Sequence, residues 1–315
     1  MKNRFIKTLG LLLFLPAVFH GFFLQPPPDF AEGKIIRIKS GATLKDISEI
    51  LRDERVIISP TWFRNFIIIK GGEKKAAAGD YYFASPQSLL EVASRIYSGD
   101  YGVEQVQITI PEGTNTFELA ALLQKHLRDF DSVEFIKKAQ PKEGYLFPDT
   151  YKLPVNASPD FVIGVLEGNF QKRVGPLLPD IENFGKTLQE VVTMASLLEK
   201  EARTEESRRT IAGILWKRLD IGMPLQIDAI FPYILNRNTY EVTLEDLKFD
   251  SPYNTYRYSG LPKGPITNPG LASIKASITP IESSFLYYLS DRAGRMYYAS
   301  NFDQHKENRK YLDKN

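Results

Sequence analysis

The first thirty residues constrain this chain more than any other stretch. Lys2, Arg4 and Lys7 precede a run from Thr8 to Leu24 in which His20 alone could carry charge, and the first acidic residue is Asp29. An apolar run of about 17 residues, or about 20 with Phe5 and Ile6, is at the shorter end of what crosses a bilayer as a helix. Its basic flank stays on the cytoplasmic side, so the carboxyl-terminal body is exported. A cleaved signal peptide needs small residues after its apolar core. His20-Gly21-Phe22-Phe23-Leu24 supplies bulky ones. The expectation is a cytoplasmic tail at 1–7, an uncleaved single-pass anchor in the cytoplasmic membrane at 8–24 and an extracytoplasmic body. Pro26, Pro27 and Pro28 favour an extended conformation and make 25–34 a stiff tether.

Composition removes whole classes of chemistry. The chain has no cysteine, which excludes a thiolate nucleophile, a disulfide scaffold and a lipoprotein anchor. A formal net charge of +2, with both signs interspersed, gives no basic face for nucleic acid. His20, His126 and His305 are scattered, without metalloprotease spacing, a serine triad or a phosphate loop. No metal and no cofactor is expected. Carboxylates, amides and hydroxyls remain as the chemical repertoire.

The body reads as α+β. Ile36 and Ile38 alternate with Arg37 and Lys39 as in a strand, Ser40-Gly41 turns, and Leu44, Ile47, Ile50 and Leu51 share a helix face. The same pattern returns 72 residues later, with Ile108, Ile110, Gly113, Leu119, Leu122 and Leu123 in the corresponding places, which suggests an internal duplication. Gly79 to Phe83 reads as a turn into a strand, and Pro86 to Tyr97 as a helix. Lys70, Lys74 and Lys75, beside Gly71-Gly72, read as a solvated hairpin or loop. Further on, Leu188 to Ala202, Glu205 to Leu219 and Leu271 to Ile278 are helices, Phe285 to Leu289 and Met296 to Ala299 are strands, and the last dozen residues are helical. Between 250 and 270, Pro252, Gly260, Pro262, Gly264, Pro265, Pro269 and Gly270 leave room only for a long loop, which in a compact domain is often functional.

Two carboxylates, Glu199 and Glu201, end the Leu188 helix. At the helical period they point about 160 degrees apart, too divergent to flank one glycosidic bond together. Each sits on a border of the apolar face set by Val191, Ala195, Leu198 and Ala202. Periodicity does not choose between them, and both could be ordinary boundary glutamates paired with Lys200, Arg203 or Arg208.

The stretch Ala195-Ser196-Leu197-Leu198-Glu199-Lys200-Glu201-Ala202 resembles the catalytic helix of the bacterial endolytic murein transglycosylases, the YceG-like family. The resemblance continues through Ile211 to Leu219, Gly222-Met223-Pro224-Leu225-Gln226, Ser251 to Tyr256, Gly260 to Ile266, Asn268-Pro269-Gly270, Leu286-Tyr287-Tyr288 and Asn301 to His305. Glu143 to Tyr151 is a further hallmark upstream. Ala202 and Ile227 are minor departures from the pattern.

This resemblance implies a transmembrane helix, small LysM-like α+β modules at 35–105, a second small α+β region at 106–186 and a mixed helix/strand catalytic domain at 187–315. It carries the catalytic acid/base onto Glu199, on an apolar border formed by Val192, Ala195 and Leu198. Gln226, Asn254, Tyr256, Glu143 and Asn268 become candidate substrate-binding residues. Asp149 and Thr150 read as a local turn. The implied reaction is non-hydrolytic cleavage of the β-1,4 MurNAc–GlcNAc bond of peptidoglycan. One carboxylate protonates the glycosidic oxygen and then takes the proton of the muramyl 6-hydroxyl, leaving a 1,6-anhydro end and terminating or releasing nascent strands. Glycan strands and cell-wall synthases are the implied partners. A hydrolytic muramidase and a noncatalytic wall-binding scaffold are the alternatives.

Overall fold

A computed structural model describes residues 24–71, 76–235, 242–291 and 293–312. The expected anchor at 8–24 lies outside these residues but for Leu24, as do Lys74 and Lys75. Among the described residues no helix is long and apolar enough to cross a membrane.

The elements in chain order are β1 (Ile35–Ile38), α1 (Leu44–Asp53), α2 (Pro60–Gly71), β2 (Gly79–Tyr82), α3 (Leu89–Ser98), β3 (Gln105–Thr109), α4 (Thr116–His126), α5 (Ser132–Ala139), β4 (Thr150–Pro154), α6 (Pro159–Val174), α7 (Leu178–Asn183), α8 (Leu188–Glu201), α9 (Glu205–Asp220), α10 (Ile230–Leu235), α11 (Leu271–Ile278), β5 (Tyr287–Ser290), β6 (Met296–Ala299) and α12 (Phe302–Asn308). The strands form two-stranded ribbons, β1 with β2, β3 with β4 and β5 with β6. Helices with small separate two-stranded ribbons make the chain α+β.

Two compact units are present. One holds the residues up to Gln107 together with His126–Asp131 and Lys152–Val162; the other holds Ile108–Lys125, Ser132–Tyr151 and Ile163–Asn315. In the first, β1 and β2 pair antiparallel, with Ile36 opposite Tyr81 and Arg37 opposite Asp80. Alternation sends Ile36 and Ile38 inward, where they meet Leu44, Ile47 and Leu51 of α1, Phe63 and Ile67 of α2 and Val92 and Ile96 of α3 in one continuous core. On the outer face Arg37 binds Asp80 at 2.9 Å. Capping boxes start α1 at Thr43 with Asp46 and α3 at Ser88 with Glu91. The second box explains why the helix expected from Pro86 begins at Leu89.

The 72-residue repeat is visible in the backbone. Gly41 and Gly113 both turn the chain at positive φ, 81° and 76°, where a side chain would be strained. Ile36, Ile38, Ile47 and Leu51 are buried in one copy, and Ile108, Ile110, Leu119 and Leu123 in the other. Lys70 is in the last turn of α2 rather than in a hairpin. The sequence Phe66-Ile67-Ile68-Ile69 is apolar all round, which hides the helical period; only Phe63 and Ile67 of that helix are buried.

Candidate active site

Helix α8 is the centre of the second unit. It starts on a capping box in which Thr187 accepts from the Glu190 N–H and the Glu190 carboxylate accepts from the Thr187 N–H at 2.8 Å. Every residue from Val191 to Leu198 is buried. Val191, Val192 and Ala195 pack with Phe170 of α6 and Ile274 of α11. Met194, Leu197 and Leu198 pack with Ile211 and Leu215 of α9. The middle of the helix is enclosed on all sides, so its charged residues stand in the end turns, Glu190 in the first and Glu199, Lys200 and Glu201 in the last.

The two glutamates meet different surroundings. Glu199, expected on an apolar border, lies between two donors. Its Oε1 accepts from Arg208 Nη2 at 2.9 Å and its Oε2 from the Gly270 N–H at 2.9 Å, with 5% of the side chain exposed. The turn before α4 closes over it: a Cβ on Gly113 would lie 3.2 Å from Glu199 Cγ, and a Cβ on Gly270 would fall 1.9 Å from the Glu112 carboxylate. Burial, with the charge of Glu199 added, pushes the Glu112 carboxyl up. Glu199 therefore ties α9, the start of α11 and the 111–113 turn together, and both of its oxygens are engaged.

Glu201 faces the opposite border, where it is partly buried. Desolvation pushes its carboxyl up to about 7; the Asp228 carboxylate adds to this, while a hydrogen bond from the Tyr288 hydroxyl and the Arg218 charge oppose it. The position is also at the negative end of α8, which disfavours a carboxylate. Tyr288, on β5, is held far above the ordinary phenol range, first by burial and then by the Glu201 charge.

A clamped loop presents Asp228. Arg218 Nη1 donates to the Leu225 carbonyl at 2.7 Å, Gln226 N to the Thr255 carbonyl at 3.2 Å and Ile227 N to Thr255 Oγ1 at 3.0 Å. The Tyr256 hydroxyl donates to Asp228. Gln226 is held at a φ of 50°, a left-handed conformation that costs a non-glycine residue about 1–3 kcal/mol and persists only where neighbouring contacts enforce it. Its side chain and that of Asp228 are exposed. Glu201, Asp228, Tyr256 and Tyr288 thus form one polar cluster with Gln226 at its edge.

The other expected ligands are committed elsewhere. Asn254 is fully buried and staples its own loop: Nδ2 donates to the Leu247 and Phe249 carbonyls at 3.0 and 2.8 Å, and Oδ1 accepts from Tyr256 N at 3.0 Å. Asn268, also fully buried, accepts from Gly144 N and Leu146 N and donates to the Thr114 carbonyl and to Glu143. Glu143 completes that hub by accepting from Thr116 N at 3.0 Å, and burial pushes its carboxyl up to about 7. These bonds hold Asn254, Asn268 and Glu143 in the packed interior, joining the loops around the site. Asp149 accepts from Thr150 N, as a local turn requires, and also from Asn169 and Arg173, while Thr150 begins β4.

A model of the YceG-like family matches residues 36–311. The chain belongs to the YceG-like family. It is 30% identical over 307 residues to a Bacillus subtilis (strain 168) protein named endolytic murein transglycosylase, covering 88% of this chain and 84% of that protein. A Streptococcus pneumoniae serotype 2 protein of the same name is 30% identical over 248 residues, or 71% of this chain. The match spans 45% of that longer relative. The crystal structure of a yceG-like protein from Listeria monocytogenes superimposes with a TM-score of 0.60 at 26% identity, covering 88% of this chain and 99% of that one. Asp228 and Tyr288, which the sequence reading did not single out as site residues, both lie inside the family match. Asp228 is two residues beyond Gln226 and Tyr288 is in a strand already quoted for its resemblance.

Proposed function

We propose that this YceG-like chain is a lytic transglycosylase that cleaves the β-1,4 MurNAc–GlcNAc bond of peptidoglycan, with Glu201 rather than Glu199 as its acid/base. The observation that carries the assignment is the difference between the two ends of α8. Glu199 has both oxygens engaged by Arg208 and Gly270. Glu201 has its carboxyl pushed up to about 7, by burial first, and lies beside an exposed second carboxylate.

A general acid works best with a pKa near the operating pH. Protonated Glu201 gives its proton to the glycosidic oxygen as the bond to C1 breaks. Positive charge then develops at C1, and the Asp228 carboxylate, oriented by Tyr256, stabilises it electrostatically. The ionised Glu201 next accepts the proton of the muramyl 6-hydroxyl as O6 bonds to C1, which closes the 1,6-anhydro ring and returns the acid. Tyr288 keeps the Glu201 carboxyl oriented through both steps, and the exposed Gln226 amide is a donor and acceptor for the sugar N-acetyl groups.

A second carboxylate beside the acid also suits hydrolysis, in which a carboxylate activates water. Product mass separates the two reactions: an anhydro end is lighter by one water than a reducing end. Digesting purified peptidoglycan with the wild-type chain tests the reading, and reducing ends alone would assign a muramidase.

Residues 8–24 fit a membrane anchor by their apolar run, with the body outside the cytoplasmic membrane near nascent glycan. The β1-α1-α2-β2 arrangement with its antiparallel pair supports a LysM-like glycan-binding role for the first unit. Cell-wall synthases are the partners such a position suggests, and termination or release of new strands is the role it suits.

A further inference from the structure

Arg218 is in direct contact with both backbone segments that border Glu201, and the mechanism above assigns it no part. It lies on α9 with 5% of its surface exposed. Its Nε donates to the Leu286 carbonyl at 2.6 Å, two residues before Tyr288, and its Nη1 to the Leu225 carbonyl at 2.7 Å, next to Gln226 and three residues before Asp228. The guanidinium stacks over the Tyr287 ring at 5.1 Å. Burying a guanidinium is costly, and two carbonyls with a ring face offset that cost without neutralising the charge.

We infer that Arg218 is a positioning residue for glycan cleavage: its rigid fork fixes the spacing between the segment that presents Tyr288 and the segment that presents Gln226 and Asp228, and its charge balances the carboxylates of the site. A planar fork can reach two carbonyls set apart in fixed directions; a lysine ammonium is a point donor on a flexible stem and cannot hold both in register. The strained Gln226 backbone makes this constraint consequential, because releasing the Leu225 carbonyl removes one of the contacts that enforces it. The charged and titratable groups around Glu201 are Asp228 on the clamped loop, Tyr288 on β5 and Arg218 on α9, with Tyr256 bonded to Asp228.

This inference rests on the reading of Glu201 as the acid. The test measures kcat, KM and the pH profile of the full chain on soluble, uncrosslinked glycan strands for wild type, Arg218→Lys, Arg218→Met and Glu201→Gln. Arg218→Lys should lose about 10-fold or more in kcat with KM changed less than about 2-fold, since a misaligned site loses transition-state contacts before binding. Arg218→Met should lose as much. In addition, the basic limb of its profile should move to higher pH, because Glu201 loses a cation that favours its ionised form. Retention of kcat within about 2-fold in both variants, with unmoved profiles, would overturn the inference. Failure of both to fold, judged by thermal unfolding, would also overturn it by assigning Arg218 to stability alone. A fully active Glu201→Gln protein would instead sink the acid assignment, whatever the Arg218 variants did.

Discussion

Gly270 donates its N–H to Glu199 Oε2 at 2.9 Å while Arg208 holds Oε1. That pairing gives Glu199, the glutamate onto which the resemblance carries the acid/base, two fixed partners. With 5% and 14% of the two side chains exposed, the ion pair is shielded from solvent screening. Removing one partner strands the other charge in the interior, which costs about 3–5 kcal/mol. Arg208→Met is expected to destabilise the chain by about 3 kcal/mol, read as a lowered urea midpoint at unchanged slope.

The Glu143 carboxyl is pushed up to about 7 by burial, from an ordinary value of 4.5. Between those values the folded chain holds a proton that the unfolded chain has released, so stability is highest below about 4.5 and falls as pH rises toward 7. Above 7 this contribution is constant. Glu143→Gln keeps the Asn268 contact without titrating. Glu201 titrates over the same window in both proteins, so the loss in urea-midpoint stability from pH 5 to pH 8 should be smaller in the variant than in the wild type by on the order of 3 kcal/mol. Equal pH dependence in both would remove Glu143 from the account.

Gly213 is in the interior of α9, where alanine ordinarily stabilises a helix by about 1 kcal/mol. Here a Cβ would lie 2.1 Å from the Ile281 carbonyl oxygen, a backbone atom that cannot rotate aside. Gly213→Ala is expected to destabilise by about 1–3 kcal/mol, the cost of overpacking, read as a drop in melting temperature.

Much of the frame was legible because local rules agreed with burial. The alternation of Ile36 and Ile38, the repeat at Ile108 and Ile110, and the spacing of Ile211, Leu215 and Leu219 all mark faces that the structure buries or half-buries. Helix α2 was not legible, since its isoleucine run has no polar face to set a phase. The site was legible by segment and not by residue. Resemblance found the end of α8, but Glu199 and Glu201 are equivalent by periodicity, and only the partners brought by Arg208, Gly270, Asp228 and Tyr288 from 9 to 87 residues away distinguish them. Asn254 and Asn268 show the same limit. An amide in a breaker-rich loop looks like a ligand until its bonds are traced, for Asn254 to its own loop and for Asn268 to the Thr114 and Glu143–Leu146 segments.

Asp228 raises the Glu201 carboxyl by like-charge repulsion, after burial. Asp228→Asn should therefore let Glu201 ionise at lower pH. Because cleavage needs protonated Glu201, the basic limb of the kcat/KM profile should move to lower pH, opposite to the shift expected for Arg218→Met, with kcat also reduced. A basic limb that stays in place would separate Asp228 from the acid.

The most direct test of the central claim is a parallel digestion of purified peptidoglycan with wild type, Glu201→Gln and Glu199→Gln at equal folded concentration, with products counted by mass spectrometry. The account predicts anhydro-ended products from wild type, a loss of about 100-fold or more in Glu201→Gln, as expected for removal of a general acid, and cleavage by Glu199→Gln in proportion to its folded fraction. An active Glu201→Gln protein beside a folded but inactive Glu199→Gln protein would contradict it.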